Sequence, residues 1–186
     1  MSKLILWNLM TLDGYFEGAK SWQLDFHQQA LNEEFFTFAT EQLRTADALI
    51  FGRITYEGMA AYWPNATDNI AGMMNSLPKV VFSRTLESAA WNNTRLIKDD
   101  AIAAVVSLKQ QAKQNIFVFG SADLSAQFLD ANLFDEIRLC IVPVLQGEGN
   151  LLFRKGIHRK RFKLEEAWPL KNGCIITRYT PDNPRA

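Results

Sequence analysis

Three short apolar segments of this chain are each followed directly by residues that suit an anionic ligand. These residues are Gly52, Arg53 and Thr55 after ALIF, Ser83 and Arg84 after KVVF, and Gly120, Ser121 and Ala122 after IFVF. Glycine lets a ligand approach the backbone closely, while arginine and hydroxyl side chains donate hydrogen bonds to phosphate oxygens. If the three segments are strands of one parallel sheet, their carboxyl ends form a single phosphate-binding edge.

Two of these sets, at Gly52 and Gly120, stand between an apolar segment and a segment with helical periodicity. A helix that begins there presents unpaired backbone N–H groups and a partial positive charge to a phosphate. Arg53 and Arg84 follow different segments and suit a ligand with an additional phosphate, which favours NADPH over NADH. Taken singly, such a glycine is also typical of a simple turn, and such an arginine of a solvated surface.

The most widespread nucleotide-binding fingerprints are missing from the sequence. No GxGxxG follows the first apolar segment, and Gly147-Glu148-Gly149 comes late in the chain and lacks a third glycine. There is no GxxxxGK[ST] loop either. A dinucleotide site in this chain is therefore not of the Rossmann or P-loop type.

Apolar segments alternate with helix-period segments, which predicts an α/β fold with a mainly parallel sheet. The predicted strands are 3–10, 48–51, 79–82, 94–97, 116–119, 136–142, 162–168 and 174–179, and the predicted helices are 32–45, 53–60, 101–111 and 121–131. The turn signal Asn172-Gly173 predicts an antiparallel hairpin at the end of the sheet. We expect one domain over residues 1–180 and a flexible tail over 181–186.

Composition limits the partners of the chain. Lys and Arg number 20, as do Asp and Glu, which argues against binding nucleic acid or a membrane through bulk charge. No segment indicates a signal peptide or a membrane span, so we expect a cytoplasmic protein. His27 and His158 lack partners at metal-binding spacing, and we expect no metal site. The basic stretch 154–162 is typical of a solvated loop, with contact to an anionic substrate as the alternative.

Several motifs resemble those of one known superfamily. They are TLDGYFEG, ADALIFGRITYE, KVVFSRTLE, IFVFGSADLSAQFL and DEIRLCIVPVLQGEGNLLF, which together extend from about residue 3 to residue 153. The chain resembles the dihydrofolate reductase-like superfamily and, within it, stand-alone relatives of the reductase domain of bifunctional riboflavin biosynthesis enzymes. This resemblance implies a three-layer α/β/α sandwich whose mixed sheet has an antiparallel C-terminal strand, NADPH as cofactor, and a homodimer.

The resemblance also implies roles for individual residues. Gly52, Arg53 and Thr55 would hold cofactor phosphates, Ser83 and Arg84 would lie beside the adenosine 2′-phosphate, and Gly120, Ser121, Ala122, Asp123 and Leu124 would surround the pyrophosphate. Asp13 and Gly14 would lie beside the nicotinamide and the substrate, and Gly147 and Glu148 on the substrate side of the cleft. Trp22, which follows the first glycine loop, is a candidate to cover a flat ring.

The sequence leaves the catalytic group and the substrate open. Dihydrofolate reductases use a carboxylate on the first helix, but here that helix is NEEFFTFATEQL, with phenylalanines on its inward face. Glu33 and Glu34 suit a first-turn capping role, which argues against folate reduction. We expect an NADPH-dependent reductase of a small heterocyclic substrate, pyrimidinone-like or pterin-like. The alternatives are a nucleotide-binding module without turnover and a scaffold domain with a vestigial cleft.

Overall fold

The computed structural model describes residues 2–68 and 70–182, which contain ten strands and five α-helices. The strands are β1 (Leu4–Thr11), β2 (Tyr15–Glu17), β3 (Ala46–Gly52), β4 (Lys79–Phe82), β5 (Thr94–Ile97), β6 (Asn115–Phe119), β7 (Glu136–Val142), β8 (Asn150–Leu151), β9 (Phe162–Pro169) and β10 (Ile175–Pro181). The helices are α1 (Glu33–Arg44), α2 (Arg53–Tyr62), α3 (Ala71–Ser76), α4 (Ala101–Gln111) and α5 (Ala122–Asp130). Every strand and helix predicted from the sequence is present, with bounds shifted by a few residues.

Eight strands form one sheet in the order β5-β4-β3-β6-β1-β7-β10-β9. The first six are parallel to one another, and β10 is antiparallel to both β7 and β9. The turn before β10 has Gly173 at φ 86°, a left-handed conformation that glycine adopts without strain. The mixed sheet with an antiparallel C-terminal strand is therefore confirmed.

Helices cover both faces of the sheet, because successive side chains of its buried strands point to opposite sides. Along β1, Ile5 and Trp7 belong to the core that α1, α2 and α3 cover, while Leu4 and Leu6 belong to the core under α4 and α5. Phe35 of α1 illustrates the first core and packs against Trp7, with ring centroids 6.2 Å apart. The predicted three-layer sandwich is confirmed.

Three elements were not predicted: α3 and the pair β2 and β8, which form a separate two-stranded sheet. Strands of two or three residues carry no periodicity, and this pair depends on contacts between segments far apart in sequence. The end of the chain also differs in detail. Pro181, the first residue of the predicted tail, pairs with Phe162 in the sheet, and residues 183–186 lie outside the described residues.

Parallel strands place their carboxyl ends on one edge of the sheet. The ends of β1, β3, β4 and β6 therefore lie side by side, so that the residues following β3, β4 and β6 share that edge. None of the described helices is both long enough and apolar enough to cross a membrane. The sheet edge is the place where the predicted site residues can meet.

Candidate functional site

A cleft of about 1050 Å³ opens at this edge of the sheet. The predicted substrate residue Trp22 lines it. So do all ten residues predicted to contact a cofactor, which are Gly52, Arg53, Thr55, Ser83, Arg84, Gly120, Ser121, Ala122, Asp123 and Leu124. The structure therefore brings together three residue sets that are separated by up to 72 positions in the sequence, from Gly52 to Leu124.

Hydrogen bonds tie the start of α2 to the start of α5. Gly120 and Ser121 both adopt the left-handed conformation, with φ of 52° and 57°. The backbone N–H of Ser121 donates to the Thr55 hydroxyl at 3.0 Å, and the N–H of Gly52 donates to the Ser121 hydroxyl at 2.8 Å. The Ser121 hydroxyl in turn donates to the carbonyl of Phe119 at 2.8 Å. Both hydroxyl oxygens position backbone here, and their predicted contact with a phosphate stays a prediction.

The helices that begin at this network have no side-chain cap. Gly52 precedes α2 and Ser121 precedes α5. Gly52 has no side chain, and the Ser121 side chain accepts no hydrogen bond from the first turn of α5. By contrast, Asn32 caps α1 and Asp100 caps α4. Uncapped first turns leave backbone N–H groups for water or a ligand, and the helix dipole favours an anion there. Two such helix starts face one cleft.

The far end of the cleft, beyond β4 and β5, carries the cations Arg84 and Lys98 beside the carboxylates Asp99 and Asp100. Arg84 is exposed and forms no ion pair or hydrogen bond with another described residue, and exposed Lys98 follows β5 on the neighbouring strand. The Ser83 hydroxyl accepts the backbone N–H of Leu86 at 2.9 Å and so shapes the turn that carries Arg84. Sequence reasoning missed Lys98, whose position beside Arg84 depends on the pairing of β4 with β5.

Two further arginines near the helix starts are held by carboxylates. Arg53 pairs with Glu57 one turn later on α2 at 2.9 Å, and Arg154 pairs with Asp123 in the first turn of α5 at 2.7 Å. Arg154 belongs to the basic stretch that was expected to be a solvated loop, yet it lines the cleft. The alternative of an anion contact therefore stays open for this arginine.

The other end of the cleft, beside β1, is mostly apolar. We call it the aromatic chamber, and its lining residues are Trp7, Asn8, Leu9, Phe16, Glu17, Trp22, Leu24, Met59 and Phe119. Trp22 has φ 67°, and its N–H donates to the carboxylate of Glu17 at 3.0 Å. Its ring lies on Gly58 of α2, where an added Cβ would be 2.2 Å from Cε3 of the indole. Trp22 thus closes one side of the chamber.

Two polar side chains lie among these apolar residues, and sequence reasoning identified neither. Asn8 is 7% exposed and accepts the N–H of Gly120 through Oδ1 at 2.6 Å, while its Nδ2 has no partner among the described residues. Glu17 is 8% exposed and accepts from Trp22 and from Nδ2 of Asn150 at 2.9 Å. The chamber lining therefore includes a buried amide nitrogen without a partner among the described residues and a carboxylate that accepts a hydrogen bond on each oxygen.

Four predicted substrate residues do not line the cleft: Asp13, Gly14, Gly147 and Glu148. The Asp13 carboxylate instead accepts hydrogen bonds from the Thr11 hydroxyl at 2.6 Å and from the N–H groups of Gln146 and Gly147 at 3.1 and 2.8 Å. These bonds, that of Thr11 above all, lower the pKa of Asp13 to about 2. Asp13 joins two loops, and its contact with a substrate stays a prediction.

The first helix supplies no carboxylate to the cleft. Glu33 and Glu34 lie in the first turn of α1, as expected, and Glu34 accepts the N–H of Lys171 at 2.8 Å. Neither residue lines the cleft. A folate reductase would place its carboxylate at this helix. In this chain, the carboxylate that lines the aromatic chamber is instead that of Glu17 from β2.

The histidines and cysteines are placed apart from the cleft lining. Burial lowers the pKa of His27 to about 4, and exposed His158 lies 3.3 Å from Asp130. Cys140 and Cys174 are buried and form no disulfide with each other. Within residues 2–68 and 70–182, no three His, Cys, Asp or Glu side chains are grouped as ligands for a metal ion.

The sheet order, the antiparallel last strand and the edge cleft define a dihydrofolate reductase-like fold, which is a reductase-type fold. The chain belongs to the RibD C-terminal domain family, whose profile matches residues 2–176. It is also similar to the uncharacterized protein YyaP of Bacillus subtilis (strain 168), with 30% identity over 182 residues that cover 95% of this chain and 94% of YyaP.

Solved structures share the fold at low sequence identity. A putative riboflavin biosynthesis protein from Shewanella sp. PV-4 matches with a TM-score of 0.79 and 19% identity, covering 97% of this chain and 99% of that one. Dihydrofolate reductase from Enterococcus faecalis, complexed with NADP(H) and RAB-propyl, matches at 0.68 and 14%, covering 97% of both chains. A Thermotoga maritima deaminase/5-amino-6-(5-phosphoribosylamino)uracil reductase matches at 0.66 and 13%, covering 97% of this chain and 56% of that one.

Proposed function

We propose that this protein is an NADPH-dependent reductase of a small heterocyclic substrate. One observation carries the proposal: the uncapped starts of α2 and α5 open onto the same cleft, whose far end carries the exposed cation of Arg84. Two helix starts suit a pyrophosphate, and a separate cation suits an additional phosphate. Family membership and the dihydrofolate reductase-like fold support the same conclusion.

The dimensions of the cleft fit a dinucleotide. Three strand spacings separate β4 from β1, and at about 4.8 Å each they place the two ends roughly 14 Å apart. The cleft volume of about 1050 Å³ is at the upper end of small-molecule sites and leaves room for a second, smaller molecule. The adenosine 2′-phosphate would then lie beside Arg84 and Ser83, and the nicotinamide in the aromatic chamber.

When bound, NADPH would supply a hydride to an electrophilic carbon of the substrate, and one proton from solvent would complete the reduction. The chain's own residues would bind and orient the cofactor and the substrate. The first turns of α2 and α5 would donate to the pyrophosphate, and Trp22 would exclude water from the chamber. Glu17 accepts hydrogen bonds on both carboxylate oxygens, so we assign it a structural role and take the proton from water.

A nucleotide-binding module without turnover is the second candidate. It is favoured by the position of Glu33 and Glu34, which leaves the chamber without a carboxylate from the first helix. NADPH oxidation with any of a panel of pterins, pyrimidinones and quinones would exclude this candidate. Stoichiometric NADPH binding with no oxidation across the panel would support it. The homodimer and the cytoplasmic location stay predictions of the same resemblance.

Calorimetric titration with NADPH and NADH tests the cofactor assignment. We expect NADPH to bind more tightly than NADH, and Arg84→Ala to remove about tenfold of that preference, since a charge-assisted hydrogen bond is lost. Arg53→Ala combined with Arg84→Ala should weaken both cofactors further. Arg95→Ala is the matched control, because Arg95 is exposed on β5 but does not line the cleft. No NADPH binding at millimolar cofactor would exclude the proposal and favour a scaffold domain.

A further inference from the structure

We propose that the aromatic chamber binds an uncharged planar heterocycle bearing a carbonyl acceptor, and that it discriminates against the phosphorylated ribose substrate of riboflavin-type reductases. This inference rests on the proposed function and deepens it by naming the substrate class. The Thermotoga maritima relative in fold is described as acting on a phosphoribosylamino uracil. The chemistry of the chamber in this chain differs from what such a phosphate needs.

The cations of the cleft lie away from the chamber. Arg84 and Lys98 follow β4 and β5, which are three and four strands from β1. Arg53 begins α2 and pairs with Glu57, and Arg154, which follows β8, pairs with Asp123 in the first turn of α5. Among the nine described residues that line the chamber, none is a lysine, an arginine or a histidine. The cations of the cleft therefore lie beside the proposed cofactor phosphates, and none belongs to the chamber lining.

The one ionisable side chain in the chamber has the wrong sign for a phosphate. Glu17 is 8% exposed, and its oxygens accept from the N–H of Trp22 and from Nδ2 of Asn150, which suits a carboxylate. A phosphate placed beside it would lose its hydration and meet a like charge in a poorly solvated space. An uncharged molecule would incur neither cost.

The unpaired amide of Asn8 points to the chemistry of the substrate. Its orientation is fixed, because Oδ1 accepts the N–H of Gly120 and the amide nitrogen could not do so. Nδ2 is left as a buried donor without a partner among the described residues, on a side chain that lines the chamber. A buried donor without a partner is costly, and a ring carbonyl of a bound heterocycle would satisfy it after a small shift of the residues that cover it.

The apolar lining favours a flat ring. Trp7 of β1 pairs with Phe119 at the end of the neighbouring strand β6, and Trp22 closes the opposite side against Gly58. Aromatic side chains pack favourably on the face or edge of a planar heterocycle. Because Trp7 and Trp22 both line the chamber, binding there can be followed through quenching of tryptophan fluorescence.

A pair of probes that differ only in a phosphate tests the inference. We suggest 5-amino-6-ribitylaminouracil and its 5′-phosphate, titrated by tryptophan quenching with NADP⁺ at saturation and again without it. The uncharged compound should bind at least about tenfold more tightly than the phosphate. Equal or tighter binding of the phosphate, or no quenching by the uncharged compound at about millimolar concentration, would overturn the inference.

Two variants separate the effect of charge in the chamber from the effect of the Asn8 amide donor. Leu24→Lys places a cation in the chamber at a half-buried position and should shift the preference toward the phosphate by about tenfold. Asn8→Asp keeps the acceptor for Gly120 but replaces the donor, and should weaken the uncharged probe by about tenfold. An unchanged affinity in Asn8→Asp would remove Asn8 from the argument. The cofactor titration is read separately: NADPH binding combined with a preference for the phosphate refutes this inference alone, whereas absence of NADPH binding refutes the proposed function.

Discussion

The hydroxyl oxygen of Thr55 accepts the backbone N–H of Ser121 at 3.0 Å, although 66 positions separate the two residues. Thr55 lies in the first turn of α2, and Ser121 directly precedes α5. The bond fixes the distance between the two helix starts to which we assign the pyrophosphate. It also explains a glycine, since a Cβ at Gly120 would lie 2.7 Å from the Thr55 hydroxyl.

Thr55→Val tests this connection, because valine keeps the shape of threonine and removes the acceptor. The N–H of Ser121 would be left buried and unpaired, so we expect the free energy of unfolding to fall by about 1–3 kcal/mol. We also expect weaker NADPH binding. Urea denaturation and calorimetry measure the two effects. Thr180→Val is the control, since the Thr180 hydroxyl donates to Glu165 in an exposed pair. Equal losses in the two variants would contradict a special role for Thr55.

The cofactor half of the site could be predicted from the sequence for a simple geometric reason. Residues that follow parallel strands must meet at one edge, so Gly52, Ser83 and Gly120 could be grouped without knowing the strand order. The substrate half of the site could not be predicted in this way. Glu17 is tied to Asn150 across 133 positions by a side-chain hydrogen bond, and β2 and β8 carry no periodicity.

Local sequence patterns also did not reveal the partners of two polar side chains, Asn8 and Asp13. Asn8 stands in a nearly continuous apolar strand, and its amide gains a role only because Gly120, which follows the end of β6, donates its N–H to Oδ1. The family resemblance places Asp13 beside the substrate, and the structure adds that its carboxylate accepts hydrogen bonds from the N–H groups of Gln146 and Gly147 in a second loop. In both cases the partner that decides the role comes from more than 100 residues away.

Gly58→Ala tests the placement of Trp22. The new methyl group would lie about where the indole ring now packs, with a contact of 2.2 Å to Cε3, so the ring has to move. We expect a shift in tryptophan emission and a loss of affinity for ligands in the aromatic chamber. Global stability should change little, because alanine favours the helix by up to about 1 kcal/mol and offsets part of the lost packing.

Gly72→Ala is the matched control for that variant. Gly72 also lies in a helix, α3, and a Cβ there meets no atom within 4 Å. It should gain the same helix propensity with no change in emission or ligand affinity. If Gly58→Ala binds chamber ligands as tightly as Gly72→Ala does, then Trp22 does not shape the chamber.

Asp13→Ala tests the junction of the two loops through its dependence on pH. Hydrogen bonds lower the pKa of Asp13 from 3.8 to about 2 in the folded chain. The carboxylate therefore stabilises the fold above pH 3.8, and this contribution is lost as the pH falls toward 2. We expect the difference in Tm between wild type and Asp13→Ala to be constant above about pH 4 and to narrow below it. A difference that stays the same down to pH 2 would contradict the assignment.

Lys79→Met tests the electrostatic role of a buried lysine. From the sequence, Lys79 was predicted only to begin a strand. Its ammonium donates to the carbonyls of Met74, Asn75 and Leu77 at 2.9, 3.1 and 2.7 Å, and lies 4.5 Å from the ring centroid of Trp91. Burial lowers the pKa of Lys79 from 10.5 to about 8.

Between pH 8 and 10.5 the unfolded chain therefore holds a proton at Lys79 that the folded chain has lost, so wild-type stability gains a contribution that rises with pH. Lys79→Met lacks this contribution. We expect the free energy of unfolding of wild type, relative to the variant, to increase across this range, as measured by denaturant titration at several pH values. The comparison cancels the titration of other lysines and of tyrosines. Parallel curves would mean that the three carbonyls and Trp91 hold the charged form as well as water does.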